Sequence, residues 1–382
     1  MLADFIDSLL RGALLVSLSL AFGSVPWGLG VLRRLPSPIA ELARERCLRI
    51  LEVAAGGIAI CQIALLALKA MVLSESLGAT ALAAFAGTTH FAAGAARTVL
   101  ALMLAATAHR LRRAPGAPGR WVVATGVVVL LAMSGGWLTH ASGRLEHRGL
   151  LMATTVLHQV AAGAWLGGLV QIAALWRLVR GRADADAVWP QVVARFSRLA
   201  VACVIVLVLA AIVLAWAYTG GAQALVGTGY GSLVLTKMLL LGMALSLAAF
   251  NFLAARRGST PGARIALRAR LPYLVEAEAI ILFMTLFAAT ALSAQPPAAD
   301  VPPAEQATLG EVAEVFRPKL PSFRTPSVEA MQRNRVEARA VGERNHEAYL
   351  WSNFSHNVAG LILLGMSLTA FYREANVVLS AN

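Results

Sequence analysis

Apolar runs of near twenty residues recur along the chain, separated by short polar stretches rich in arginine. A helix rising about 1.5 Å per residue needs roughly 20 apolar residues to cross a hydrocarbon core about 30 Å thick. The pattern therefore predicts spans at about 10–32, 48–72, 87–109, 121–140, 150–176, 198–218, 232–254, 271–293 and 350–372. Eight of these form a core and the last is a separate C-terminal helix. The fold class predicted is all-α, a polytopic transmembrane helical bundle. Its regions are 1–149, an N-terminal four-helix part; 150–293, a second four-helix part; 294–349, a polar Pro-rich segment; and 350–382, the ninth helix with a short end.

Loop charge sets the expected orientation. Arginine fills every second loop: Arg33, Arg34, Arg44, Arg46 and Arg49, then Arg110, Arg112, Arg113 and Arg120, then Arg177, Arg180, Arg182, Arg195 and Arg198, then Arg256, Arg257, Arg264, Arg268 and Arg270. The alternate short loops hold only Arg144 and Arg148. Basic residues stay on the cytoplasmic side, so the N-terminus is expected outside and the C-terminus inside. The 294–349 segment then lies outside. It opens with QPPAADVPPAEQ, which favours extended backbone, and reads as a tether or cap over the outer face.

Composition narrows the class. The chain is 58% hydrophobic and 14% charged, against about 25% charged for a soluble domain. A net charge of +13 would suit nucleic acid, but the basic residues follow membrane topology, so no nucleic-acid partner is expected. Cys47, Cys61 and Cys203 show no paired spacing, which argues against a disulfide framework or a thiolate site. Asp4 and Asp7 stand where a signal peptide would be basic, so the first run is kept as a helix. No Walker A loop, GxSxG, HExxH or strand-borne GxGxxG is found, and no enzyme is expected.

Six of the seven histidines fall at or near the outer side: His90, His140, His147, His158, His346 and His356. Neutral imidazole is the commonest metal ligand among side chains. His158 lies about two turns inside the fifth span, and Trp165, seven residues later, shares its helix face. Gly163, Gly167 and Gly168 would let another helix approach closely. Met133, Trp137 and His140 are spaced to face one way, and thioether with imidazole suits copper. His90 precedes Gly94 and Arg97 on one face, and His356 sits in a polar stripe with Asn353, Asn357 and Gly360. Lys237 lies near the outer end of the seventh span, with Met238 and Met243 nearby. Glu276 and Glu278 lie near the inner end of the eighth, as a proton relay, a cation exit site or partners of an inner-loop arginine. For each residue the bland alternative is packing, an interhelical hydrogen bond or snorkelling to the interface.

The pieces LHQVAAGAWLGGL, RFSRLAVACVIVLVLAAIVLAW, GYGSLVLTKMLLLGMALSLAAFN and RLPYLVEAEAIILF, in this order over about 150–300, resemble the CopD copper resistance family of bacterial inner membranes. The resemblance implies copper handling at that membrane, described as uptake from the periplasm, often beside a small periplasmic carrier of the CopC type. By motif it singles out His158, Trp165, Lys237 and one of Glu276 or Glu278. The outer tail and ninth helix lie beyond the shared region.

The expected function is copper import across the inner membrane. The expected metal ligands are His158, His140, His356 and His90, in the outer part of the bilayer. Two rivals come from other classes. A b-type haem protein would use two histidines such as His140 and His158 as axial ligands. An assembly or structural protein would work through its outer tail.

Overall fold

The computed structural model describes residues 2–33, 35, 38–179, 182, 185–257, 261–315 and 317. Its helices are α1 (Leu2–Pro26), α2 (Pro38–Leu77), α3 (Thr80–Ala86), α4 (Thr89–Arg113), α5 (Pro118–Gly136), α6 (Arg148–Val179), α7 (Ala185–Thr219), α8 (Ala222–Gly227), α9 (Gly229–Arg257), α10 (Pro261–Ser293) and α11 (Leu309–Val315). Among the described residues eight helices are long and apolar enough to cross a membrane. Their outer faces are greasy, with Val53, Ile60, Val122 and Leu239 each more than two-thirds exposed. Apolar surface on that scale suits lipid rather than water. The protein is an all-α, multi-pass membrane bundle. The ninth expected span, 350–372, lies outside the described residues.

Helix ends follow local chemistry. Pro118 opens α5, where its missing N–H costs nothing. Thr88 caps α4 by accepting from the Phe91 N–H at 3.2 Å. Arg110, Arg112 and Arg113 fill the last turn of α4 and complement its dipole. After Pro26, α1 passes into a π turn over Trp27–Val31. The orphan carbonyls there are taken by Arg195 of α7, which donates to Val31 O at 3.0 Å and to Arg33 O.

Three boundaries differ from the hydropathy reading. The second span was expected from about 48, yet α2 starts at Pro38 and carries Arg44, Arg46 and Arg49. Its first turns bury Ile39, Ala40, Ala43 and Cys47 at helical spacing, and Glu45 pairs with Arg49 at 2.5 Å. Likewise α7 starts at Ala185 and buries Val188, Trp189, Val192 and Phe196. Hydropathy marks where a helix crosses lipid, not where it begins. The fourth span was expected to reach 140, but α5 stops at Gly136 and His140 opens a separate 3-10 turn, His140–Gly143.

One compact unit comprises Leu2–Thr219 with Leu233–Pro297. Within it α1 and α6 are the central pair, and they pack directly together across the 149/150 boundary. One apolar core joins α1, α2, α4 and α5 through Leu18, Phe22, Ile58, Leu104 and Leu131. A second joins the end of α1 to α6, α7, α9 and α10 through Trp27, Leu169, Phe196, Ala244 and Leu282. Small residues set the α1–α6 approach. A Cβ on Gly163 would lie 2.9 Å from the Phe22 ring, and one on Gly23 only 2.5 Å from the Gly167 backbone. A hydrogen bond of 2.8 Å from Gln171 Nε2 to Ser24 Oγ pins the two helices, and both residues are buried.

Of the described residues, the other unit comprises Gly220–Ser232, 298–315 and 317. Here the expected extended tether is folded in its first part. Two 3-10 turns, Ala298–Asp300 and Pro303–Glu305, lead into α11. Ala307 N–H donates to Gly227 O at 2.9 Å. Gly220 sits at φ +74°, where a side chain would be strained and where a Cβ would meet Ala299 at 3.0 Å. Thr308 and Glu311 form a reciprocal cap for α11, at 2.9 and 3.3 Å. Proline set φ at single positions, but buried Ala298 and Ala307 decided the compact path.

Candidate functional site

The residues singled out by motif lie on α6, α9 and α10. Trp165 of α6 is 1% exposed, and its indole N–H donates to Glu278 Oε1 of α10 at 3.1 Å. Glu278 is 2% exposed. Its neighbour by sequence, Glu276, points elsewhere. It pairs with Arg177 at 2.8 Å, and both side chains are well exposed. Two residues along a helix is a rotation of about 200°, so the two carboxylates serve different faces. The motif could not choose between them, and the helix phase does. The arginine that pairs with Glu276 comes from the end of α6.

His158 sits two turns from Trp165 on the same side of α6. Its ring faces the Leu207 backbone of α7. His158 Nδ1 is buried and has no hydrogen-bond partner. The Lys237 ammonium of α9 stands within electrostatic reach of the ring. The arrangement offers one buried imidazole nitrogen without a partner, a lysine within electrostatic reach, and a tryptophan-held carboxylate about 10 Å further along the bundle by helix rise.

The other candidate ligands are spread out. His140 is exposed, and its Nε2 lies 3.1 Å from Ser293 O at the end of α10. Since that carbonyl only accepts, Nε2 is the donor. Met133 and His140 do not share a helical face, because the helix ends between them. Met133 is 48% exposed and Trp137 40% exposed. His90 Nε2 lies 3.0 Å from Lys69 Nζ. His147 is exposed, at φ +52° before α6. His109, at the arginine-rich end, meets Glu52 at 3.0 Å, and Arg112 meets the same carboxylate at 2.6 Å. His346 and His356 lie outside the described residues. Among the described residues no three His, Cys, Asp or Glu side chains gather as a metal-holding group.

The sequence reading passed over several polar residues inside the bundle. Ser24, Gln62, Ser134 and Gln171 are each no more than 9% exposed. The available signal was an amide or hydroxyl in mid-span, which must find a partner on a neighbouring helix.

No curated protein and no solved structure matches the chain. Residues 190–292, from α7 to the end of α10, match the family model of copper resistance protein D.

Proposed function

We propose that the protein carries copper across the bacterial inner membrane, from periplasm to cytoplasm, without an enzymatic step. The observation that supports this reading most is the orphaned Nδ1 of His158, beside the family-matched helices that supply Lys237 and Glu278. A buried ring nitrogen with no partner is costly unless something occupies it. Imidazole is a good ligand for copper. A copper ion arriving from a periplasmic carrier of the CopC type would meet His158, with His140 and His90 as further ligands along the outer part of the bundle and His356 as a ligand read from the sequence alone. An inside-negative potential draws a cation inward at about 2.3 kcal/mol per charge per 100 mV, so import runs without nucleotide. Glu278, with its hard oxygens, holds copper(I) less well than imidazole and suits release.

The test is copper binding by purified His158→Ala, with His147→Ala as the exposed control. His158→Ala is expected to weaken binding by about 10–100-fold, the range seen even for changes one shell out, and His147→Ala to leave it unchanged. Wild-type binding by alanine variants of His140, His158 and His356 alike would end the histidine-site reading. A Soret band in the purified protein would replace copper with haem b.

A further inference from the structure

A second polar track lies in the α1–α6 half of the bundle, away from His158. Arg97 of α4 is 5% exposed, inside the apolar part of its helix. Its Nε donates to Ser134 Oγ of α5 at 3.1 Å. Among the described residues no carboxylate forms an ion pair with it. A hydroxyl is neutral and does not offset a guanidinium taken out of water. Two glycines make the room around it. The place where Gly135 would carry a Cβ lies 3.1 Å from an Arg97 terminal nitrogen and 2.8 Å from Gln159 Oε1 of α6. One turn along α4, the corresponding point at Gly94 lies 2.9 Å from Gln62 Nε2 of α2. Gln62 is 3% exposed, and its Oε1 is buried without a partner.

Lys69 continues the track, seven residues after Gln62 on the same face of α2. Its ammonium has only protons to give, so His90 Nε2, at 3.0 Å, presents its lone pair and the ring is neutral. Arg11, Arg97 and Asp7 stand within electrostatic reach of the same histidine. Asp7 and Arg11 pair with each other. Lys69, level with His90, and Arg97, seven residues further along α4, are thus two positive charges about two helical turns apart in a low-dielectric bundle.

We propose that this track binds a small inorganic monoanion such as chloride. Arg97 supplies the charge at the ion and Lys69 a second charge two turns away toward the helix ends, while the Gln62 and Gln159 amides hold it only with their N–H groups turned toward it. The side-chain ends already press into the spaces left by Gly94 and Gly135, which favours a single-atom ion over an organic acid. A water shared with the ion gives Gln62 Oε1 the donor it lacks. Lys69 also touches His90, a ligand of the copper reading, so the anion site is tested without copper.

The experiment is thermal melting of the purified full-length protein at constant ionic strength in chloride, bromide or gluconate. The wild type is expected to melt higher in either halide, the shift growing with the logarithm of halide concentration. Arg97→Gln and Lys69→Gln are expected to lose that dependence. Lys69 is only half-buried, so Lys69→Gln keeps the test open should Arg97→Gln fail to fold. Equilibrium dialysis with radiolabelled chloride is expected to show saturable binding in the wild type and its loss in the folded variant. Equal melting of the wild type in chloride and gluconate, or a halide response that survives in the variants, overturns the proposal.

Discussion

Gly23→Ala is the sharpest probe of the contact that carries the bundle. A methyl on Gly23 would sit 2.5 Å from Gly167 Cα and C, and 2.7 Å from Gly168 N. Those atoms are backbone and cannot swing away, so α1 and α6 must separate by roughly 1 Å to restore ordinary contact. A radial gap of about 0.5–1 Å forfeits a quarter to a half of each dispersion well along the seam, and overpacking of this kind costs about 1–3 kcal/mol. Alanine also favours helix over glycine by about 1 kcal/mol, which masks part of the loss. Gly126→Ala removes that ambiguity. Gly126 lies in α5, and a Cβ there meets nothing within 4 Å, so this variant carries the propensity gain alone. The difference between the two variants isolates the clash at about 2 kcal/mol. At about 2–4 °C per kcal/mol, their melting temperatures in detergent should differ by roughly 4–8 °C, with Gly126→Ala at or above the wild type. Coincident melting of the two variants would refute a tight α1–α6 seam.

Other expected outcomes follow from the site and the topology. Trp165→Phe removes the donor to buried Glu278 and should cost about 1–3 kcal/mol, read as a lowered melting temperature together with reduced copper uptake. Glu276→Gln breaks only an exposed pair with Arg177 and should change stability by less than about 1 kcal/mol; a larger loss than in Trp165→Phe would reverse the two roles. Reporter fusions after residues 80, 145, 225 and 320 should report outside and those after 40, 115, 188 and 262 inside, and an inside signal at 320 would move the tail to the other face. Cells expressing the protein should accumulate more copper than those lacking it, measured as total cell metal; faster efflux with lower cell copper would reverse the direction.

The sequence alone carried the class of fold. Runs of apolar residues long enough to cross lipid are a one-dimensional property, and each long helix satisfies its own backbone internally, so eight crossings were legible without knowing their neighbours. The close-packing role of Gly163 and Gly167 was legible too, because a missing side chain on a membrane helix face has few other uses. Tertiary structure decided which residues meet. It separated Glu278, held by Trp165, from Glu276, held by Arg177, since two positions apart on a helix point in different directions. It placed the Nε2 atoms of His90 and His140 beside Lys69 and Ser293, and it left Nδ1 of His158 buried without a partner. It also folded the start of the Pro-rich segment against Gly227, because burial of small side chains outweighed local preference for extended backbone. A periodic pattern reports the face on which a residue lies. The partner across that face belongs to another helix, distant in sequence, and only packing in three dimensions selects it.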